Sequence, residues 1–481
     1  MFKQLWATKH PHAAHEEANG LSLRRTLGPW GLTALGIGAV IGGGIFVITG
    51  QAAANHAGPA IMLSFILAAV CCAFCAMAYA EFAAMVPVSG SAYTYTYATF
   101  GELSAWFIGW MLVLEYGVSA SAVAVSWTGY FLSLLSHFDI HLPAALVNAP
   151  LDEKLRPTGA IANLPAAGLV LLLTWLCYVG IRKSSAMNMA MVVLKTGLIV
   201  LVIFAGWKYV DPGNWTPFIP ANEGPGKYGF EGVLRGAAMV FFAYIGFEAV
   251  SVAAQESHKP QRDMPIGMLL SLVVCTVLYI AMAAVMTGLV PYKLLGTAEP
   301  VVTAVAAHPQ LGWLRIIVEV GALIGLSSVV LVMIIGQPRI FMIMGRDGLL
   351  PPVFTRIHPK YRTPHINTVI TGIGIALLAA LFPLDILGEL TSMGTLIAFA
   401  AVCAGVLVLR RTHPELPRPF RMPAAWLLCS LGVLSCIALL TAMTLHNWML
   451  MGLWTLTGFI IYFAYGMRHS KLNAANKARN G

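Results

Sequence analysis

The sequence predicts an all-α integral membrane protein of about twelve transmembrane helices, and three observations predict it. Of 481 residues, 58% are hydrophobic and 10% charged, against about 25% charged in soluble domains. The mean hydropathy is +0.77. Apolar runs long enough to cross a bilayer recur near residues 30–55, 59–86, 103–134, 163–181, 186–207, 232–254, 266–290, 313–343, 366–382, 386–409, 424–445 and 448–467. Lysine and arginine alternate between the connecting segments. With the N-terminus placed in the cytoplasm, 21 of the 29 fall inside, seven outside (Arg235 among them) and one, Lys195, within a span. That asymmetry is the orientation signal of multi-pass proteins, so the formal charge of +9 reads as topology and not as nucleic-acid binding.

The first span contains "LGIGAVIGGGIFVITG", with Gly36, Gly38, Gly42, Gly43, Gly44 and Gly50, although glycine costs about 1 kcal/mol against alanine in a helix interior. A dinucleotide-binding loop fits poorly. Ile41 stands where the third glycine of G-x-G-x-x-G belongs, and no strand–helix unit follows. Close helix packing through Gly38-x-x-x-Gly42 is one reading. The other is a helix that stops and restarts at mid-membrane, which is tolerated where it lines a cavity. Such a break offers free N–H groups and a helix N-terminus to a carboxylate.

The sixth span, "RGAAMVFFAYIGFEAVSVAAQE", carries Gly246 and Glu248 in the middle of its run. The first and sixth spans hold corresponding places in two five-span units, and an odd number of spans inverts the second unit. Paired interrupted helices in inverted repeats point to a transporter's binding site. The expected organisation is a cytoplasmic tail at 1–27 without the apolar core of a signal peptide, and a first five-helix repeat at 28–210. A second repeat follows at 232–409, then two further helices at 410–467 and a cytoplasmic tail at 468–481.

Five stretches carry a family resemblance: "IGGGIFVITG", "AYAEFAAMVPVSGSAYTYTYATFGELSAWFIGW", "LEYGVSASAVAVSW", "FFAYIGFEAVSVAAQESHKPQRDMPIG" and "PRIFMIMGRDGLLPPVF". On these the chain resembles an amino acid permease of the amino acid–polyamine–organocation superfamily, in its cationic amino acid transporter branch. The resemblance implies a 5+5 inverted repeat that binds one amino acid between the first and sixth helices. Amides of Gly42, Gly43 and Gly44 would hold the substrate carboxylate. Carbonyls of Ile41, Phe242, Ala243 and Ile245 would accept the α-ammonium. The sequence departs from the family's pattern at Gly43, where Ser or Thr is common, and at Met111, Glu248 and Gln255, where acids or Asp are commoner. These departures bear on substrate preference.

Lys195 in "MVVLKTGLIVL" lies about 13 Å into the fifth span at 1.5 Å per residue. A charged lysine at that depth costs about 2.5–3.5 kcal/mol. It is either a snorkelling or paired structural lysine, or a residue that takes up and releases a proton. The resemblance implies the second, with its ammonium in the place of the cation that sodium-coupled relatives bind. Ser327 and Ser328 are candidate partners for the amine or simple packing hydroxyls. Glu115 is an acid deep in the third span, suited to pair with a helix end, to tune Lys195 or to face the substrate side chain, and a structural or gating role fits it best. Tyr244, with Phe241, Phe242 and Phe247, either covers the site or packs.

The eight cysteines lie in or at the edges of apolar runs, so no disulfide framework is expected. "CCAFC" reads as small polarizable side chains packing between helices, and the thirteen histidines build no metal site. No nucleophile–base pair or carboxylate cluster suggests an enzyme, and no cofactor is called for. The expected function is secondary active import of an L-amino acid with a proton by alternating access. The alternatives are an exchanger of the same fold and a non-transporting amino acid sensor. The expected partners are the amino acid, the proton and the lipid bilayer, with no nucleic acid. Nothing in the sequence supports an accessory membrane subunit. The expected location is the bacterial cytoplasmic membrane.

Overall fold

The structure is a computed structural model that describes residues 5–9, 27–85, 91–179, 185–252, 257–361 and 363–473. Among the described residues, extended pairing is limited to three isolated bridges. Eight helical runs are long and apolar enough to cross a membrane, and four shorter apolar helices accompany them. They fall where the hydropathy runs place spans.

The first span is Pro29–Val40, which stops at Ile41 in an extended conformation and resumes at Gly44. Gly58 turns the chain with φ of 62°, a left-handed conformation that glycine adopts without strain. The second span, Ile61–Met85, follows. The third is Glu102–Ser136, the fourth Leu164–Val179 and the fifth Ser185–Trp207. The sixth, Gly229–Ser251, changes at Phe241 to a tighter turn and becomes extended at Ile245. The seventh is Pro260–Leu289, the eighth Gly312–Arg346 and the ninth His365–Leu381. The tenth is Leu384–Thr412 and the eleventh Ala425–Thr441. The twelfth begins with Leu445–Ile461.

The packing repeats when each span is advanced by five. The first packs on the seventh, as the sixth packs on the second. The fifth packs on the first, seventh and eighth, as the tenth packs on the sixth, second and third. The third meets the fourth as the eighth meets the ninth, and the second with the seventh, third with the eighth and fourth with the ninth are self-related pairs. The two five-helix units therefore interlock symmetrically, with the two breaks at their junction.

The described segments nearest the two ends of the chain dock on one face. Lys9 Nζ lies 2.9 Å from Asp347 Oδ1, whose other oxygen accepts from Tyr93 at 2.7 Å. At the other end Asn473 Nδ2 donates to Glu102 at 3.1 Å, as do Ser470 and Tyr462. On the same face Glu81 of the second span receives Arg410 Nε at 2.9 Å and Nη2 at 2.6 Å.

The opposite face holds a correction. Arg235, counted above with the outward charges, lies inside the helix Gly229–Val240 and is 8% exposed. It forms an ion pair with Glu389 of the tenth span, whose second oxygen accepts from Asn447 Nδ2 at 2.6 Å. Removing one member of a buried pair leaves the other charge without compensation, at about 3–5 kcal/mol. We expect Glu389→Ala to lose about that much in denaturant unfolding of the detergent-solubilised protein. Arg235→Met added to it should recover part of the loss. A loss below about 1 kcal/mol would show the pair to be solvent-screened.

Candidate functional site

The half-helix Pro29–Val40 leaves its last carbonyls without intrahelical partners, and inside a membrane these need protein donors. The structure supplies them from two other spans. Lys195 Nζ donates to Gly38 O at 2.7 Å and to Ile41 O at 3.1 Å. Tyr279 of the seventh span donates to Val40 O at 3.0 Å. Beyond the break, Tyr130 of the third span donates to Phe46 O at 2.6 Å. Lys195 is 1% exposed, and its stem lies along Gly325 of the eighth span, where a Cβ would approach Lys195 Cγ to 3.3 Å. The hydroxyls of Ser327 and Ser328 donate within their own helix, to Leu323 O and Gly325 O at 2.7 and 2.8 Å.

The restarted helix makes its first bond from Phe46 N to Gly42 O at 3.5 Å. The amides of Gly42, Gly43 and Gly44 precede that bond, so they occupy the first-turn positions that a helix leaves open. Free N–H groups at a helix start are the kind of place where an anion can be held. Two of these glycines permit the close approach of other elements. A Cβ on Gly44 would collide with Ala243 Cα in the sixth span, and one on Gly43 would stand 2.9 Å from Ser126 Oγ.

The sixth span meets this end with its own break. Gly246 has φ of 126°, a conformation reserved for glycine. A Cβ there would stand 2.8 Å from Ala39 C, in the last turn of the first half-helix. The structure thus brings Ile41, Gly42, Gly43 and Gly44 against Phe242, Ala243 and Ile245. Phe242 O accepts from Ile245 N at 3.3 Å, while Ile41 O already serves Lys195. Tyr244 donates to Phe65 O of the second span at 3.0 Å and stacks edge-on against Phe65. Phe241 and Phe247 both pack on Phe399 of the tenth span.

Glu248 sits just past the break, and its Oε2 accepts from Gly246 N at 3.0 Å. Its carboxyl and that of Glu115 are close enough to interact, and each is 1% exposed. Glu115 lies in a widened π-turn of the third span, Leu114–Val118, a distortion frequent at functional positions. Tyr79 and Tyr116 are within electrostatic reach of both acids. The sequence analysis passed over Tyr130, Tyr279 and the pairing of the two acids. The available signal was a tyrosine hydroxyl in the middle of an apolar run, which needs a partner.

The profile of the amino acid permease family matches residues 27–465. The chain is 46% identical to the branched-chain amino acid permease BcaP of Bacillus subtilis (strain 168), over 94% of this chain and 95% of that protein. It is 44% identical to the methylthioribose transporter of the same organism, over 95% and 96%. It is 37% identical to the vacuolar cationic amino acid transporter 4 of Arabidopsis thaliana, over 82% of this chain and 64% of the relative. With two unwound helices facing each other at mid-bundle and that match over nearly its whole length, the chain belongs to the amino acid permease family.

Proposed function

We propose that this permease imports a neutral, apolar amino acid together with a proton by alternating access, with Lys195 as the coupling residue and both termini in the cytoplasm of a bacterium. The observation that carries the reading is the Lys195 ammonium on Gly38 O and Ile41 O. The protonated lysine closes the end of the half-helix whose continuation, at Gly42, Gly43 and Gly44, is the candidate carboxylate site. A proton lost from Lys195 weakens those charge-assisted bonds and frees the helix end. Protonation and the shape of the site are then one equilibrium, as coupling requires. The α-ammonium is assigned to the carbonyls of Ile41, Phe242, Ala243 and Ile245. The Glu115–Glu248 pair is a second place where a proton can reside, and we assign it, with Tyr244, to gating.

A neutral substrate is favoured by what surrounds the breaks. Glu248 is taken up by the Gly246 amide of its own break, and Glu115 lies buried in the third span. Val123, Val329, Phe241 and Phe399 are apolar neighbours. The full-length relative named for branched-chain amino acids points the same way. A second reading, a thioether sugar, comes from the relative named for methylthioribose.

Two experiments test these assignments. In proteoliposomes with an inward proton gradient, wild type should accumulate labelled leucine, isoleucine or valine, and Lys195→Ala should lose gradient-driven accumulation while keeping exchange. A mutant that still accumulates with the gradient would place coupling elsewhere. Exchange by preloaded vesicles without accumulation by either protein would make this an exchanger. Unlabelled lysine and methylthioribose, added as competitors, report the substrate class. Separately, Gly44→Ala should weaken substrate binding by more than about tenfold, or about 1.4 kcal/mol. Gly197→Ala, whose Cβ meets nothing within 4 Å, should leave it unchanged in equilibrium binding.

A further inference from the structure

A seam of sulfur runs between the second, tenth and eleventh spans, away from the breaks. Cys71 and Cys75 are four residues apart and so share one face of the second span. Cys436 of the eleventh span stands between them, its Sγ 3.7 Å from each. All three sulfurs lie within 4.8 Å of one another, and all three residues are at most 1% exposed. Cys403 of the tenth span adds a fourth sulfur, 3.8 Å from Cys75. Space for it is made by Gly432, where a Cβ would stand 2.9 Å from Cys403 Sγ.

The seam continues toward the face that carries the termini. Cys429, one heptad before Cys436, is within electrostatic reach of Cys403. Its Sγ lies 3.5 Å from Met422 Sδ. Met422 is at the end of the seam, where its backbone N donates to Glu81 and its O accepts from Arg410. Cys436 is eleven residues into its helix from that face, about 16 Å at 1.5 Å each. Six soft donors therefore lead from one aqueous face to the middle of the membrane.

Packing alone accounts for small apolar side chains here, as the sequence analysis held. It does not account for sulfur at this spacing in three helices at once. With metal–sulfur bonds of about 2.3 Å, three thiolates around one ion stand about 4.0 Å apart, close to the separations observed. No histidine or carboxylate belongs to the group, which excludes the oxygen-seeking cations. Three sulfurs in a dry site suit a soft cation that accepts low coordination better than one that demands four ligands.

We propose that Cys71, Cys75 and Cys436 form a binding site for a soft thiophilic cation of the Cu(I) class, reached along Cys403, Cys429 and Met422. The ion keeps its oxidation state on binding, and each thiol that becomes a thiolate ligand releases its proton to the aqueous face. Bound there, the ion ties the second span to the eleventh. The second span also holds the sixth, through Tyr244 on Phe65 O and Ser64 on Val233 O at 2.8 Å. Occupancy therefore slows transport by restraining the span that carries one of the breaks.

The test uses the reduced full-length protein in detergent and in proteoliposomes, with Cu(I) supplied from a chromogenic chelator under anaerobic conditions. Wild type should withdraw one Cu(I) per chain from the chelator, melt at a higher temperature with it, and take up amino acid more slowly. X-ray absorption of the bound ion should show sulfur neighbours alone. Cys436→Ala and, independently, Cys71→Ala should weaken binding by at least about tenfold and abolish both the melting shift and the inhibition. Uptake without the ion should remain in both variants, which shows that they fold. Cys275→Ala, a buried cysteine outside the seam, should behave as wild type. Undiminished Cu(I) binding in Cys436→Ala and Cys71→Ala, or no Cu(I) taken by wild type, would overturn the site and leave the thiols as packing groups.

Discussion

A chain that unwinds inside a bilayer releases backbone carbonyls and amides where no water is available to meet them, and each one left bare costs several kcal/mol. The first span of this permease is built around that constraint. Its break at Ile41 is held by Lys195 from the fifth span and Tyr279 from the seventh, and Tyr130 from the third meets Phe46 O just beyond it. Three spans must be in place before the break is tolerable, so the unwound segment and the bundle around it specify each other. Lys195 and Tyr279 consume carbonyls on the stopping side. The amides of Gly42, Gly43 and Gly44 lie on the restarting side, where Gly44 packs directly on Ala243 of the sixth span.

Around this junction the two five-helix units interlock by equivalent contacts, and buried charges fix the periphery. The tenth span is pinned at both ends. Glu389, near its start, is held by Arg235 of the sixth span and Asn447 of the twelfth. Arg410, near its end, is held by Glu81 of the second. The first pair joins two spans of the second unit, one of them broken, and the other joins the second span to the tenth, across the units. Buried pairs of this kind set registry more than they add stability. Here they fix which faces of apolar helices meet.

Much of this was legible in the residues. The apolar runs, the lysine and arginine asymmetry and the glycines at 42–44 located the spans and the first break. Gly246 and Glu248 located the second, and the depth of Lys195 singled it out. What was not legible was the facing of each helix. A helix that is apolar all round carries no periodic signal of which side is inward. The sequence analysis therefore counted Arg235 with the outward charges, treated Glu115 and Glu248 separately, and saw in "CCAFC" three cysteines without their partners on the tenth and eleventh spans.

The sequence by itself determined that this chain enters the membrane, where it crosses and where two helices cannot stay regular. Those properties depend on local composition and on the transfer free energy of each segment. Tertiary structure alone decided that Lys195 and Tyr279 meet carbonyls of the first span, that the acids at 115 and 248 face each other, and that sulfurs from three spans line one seam. These pairings join residues up to 365 positions apart. They follow from helix rotation and packing, which uniformly apolar surfaces leave free until the whole bundle closes.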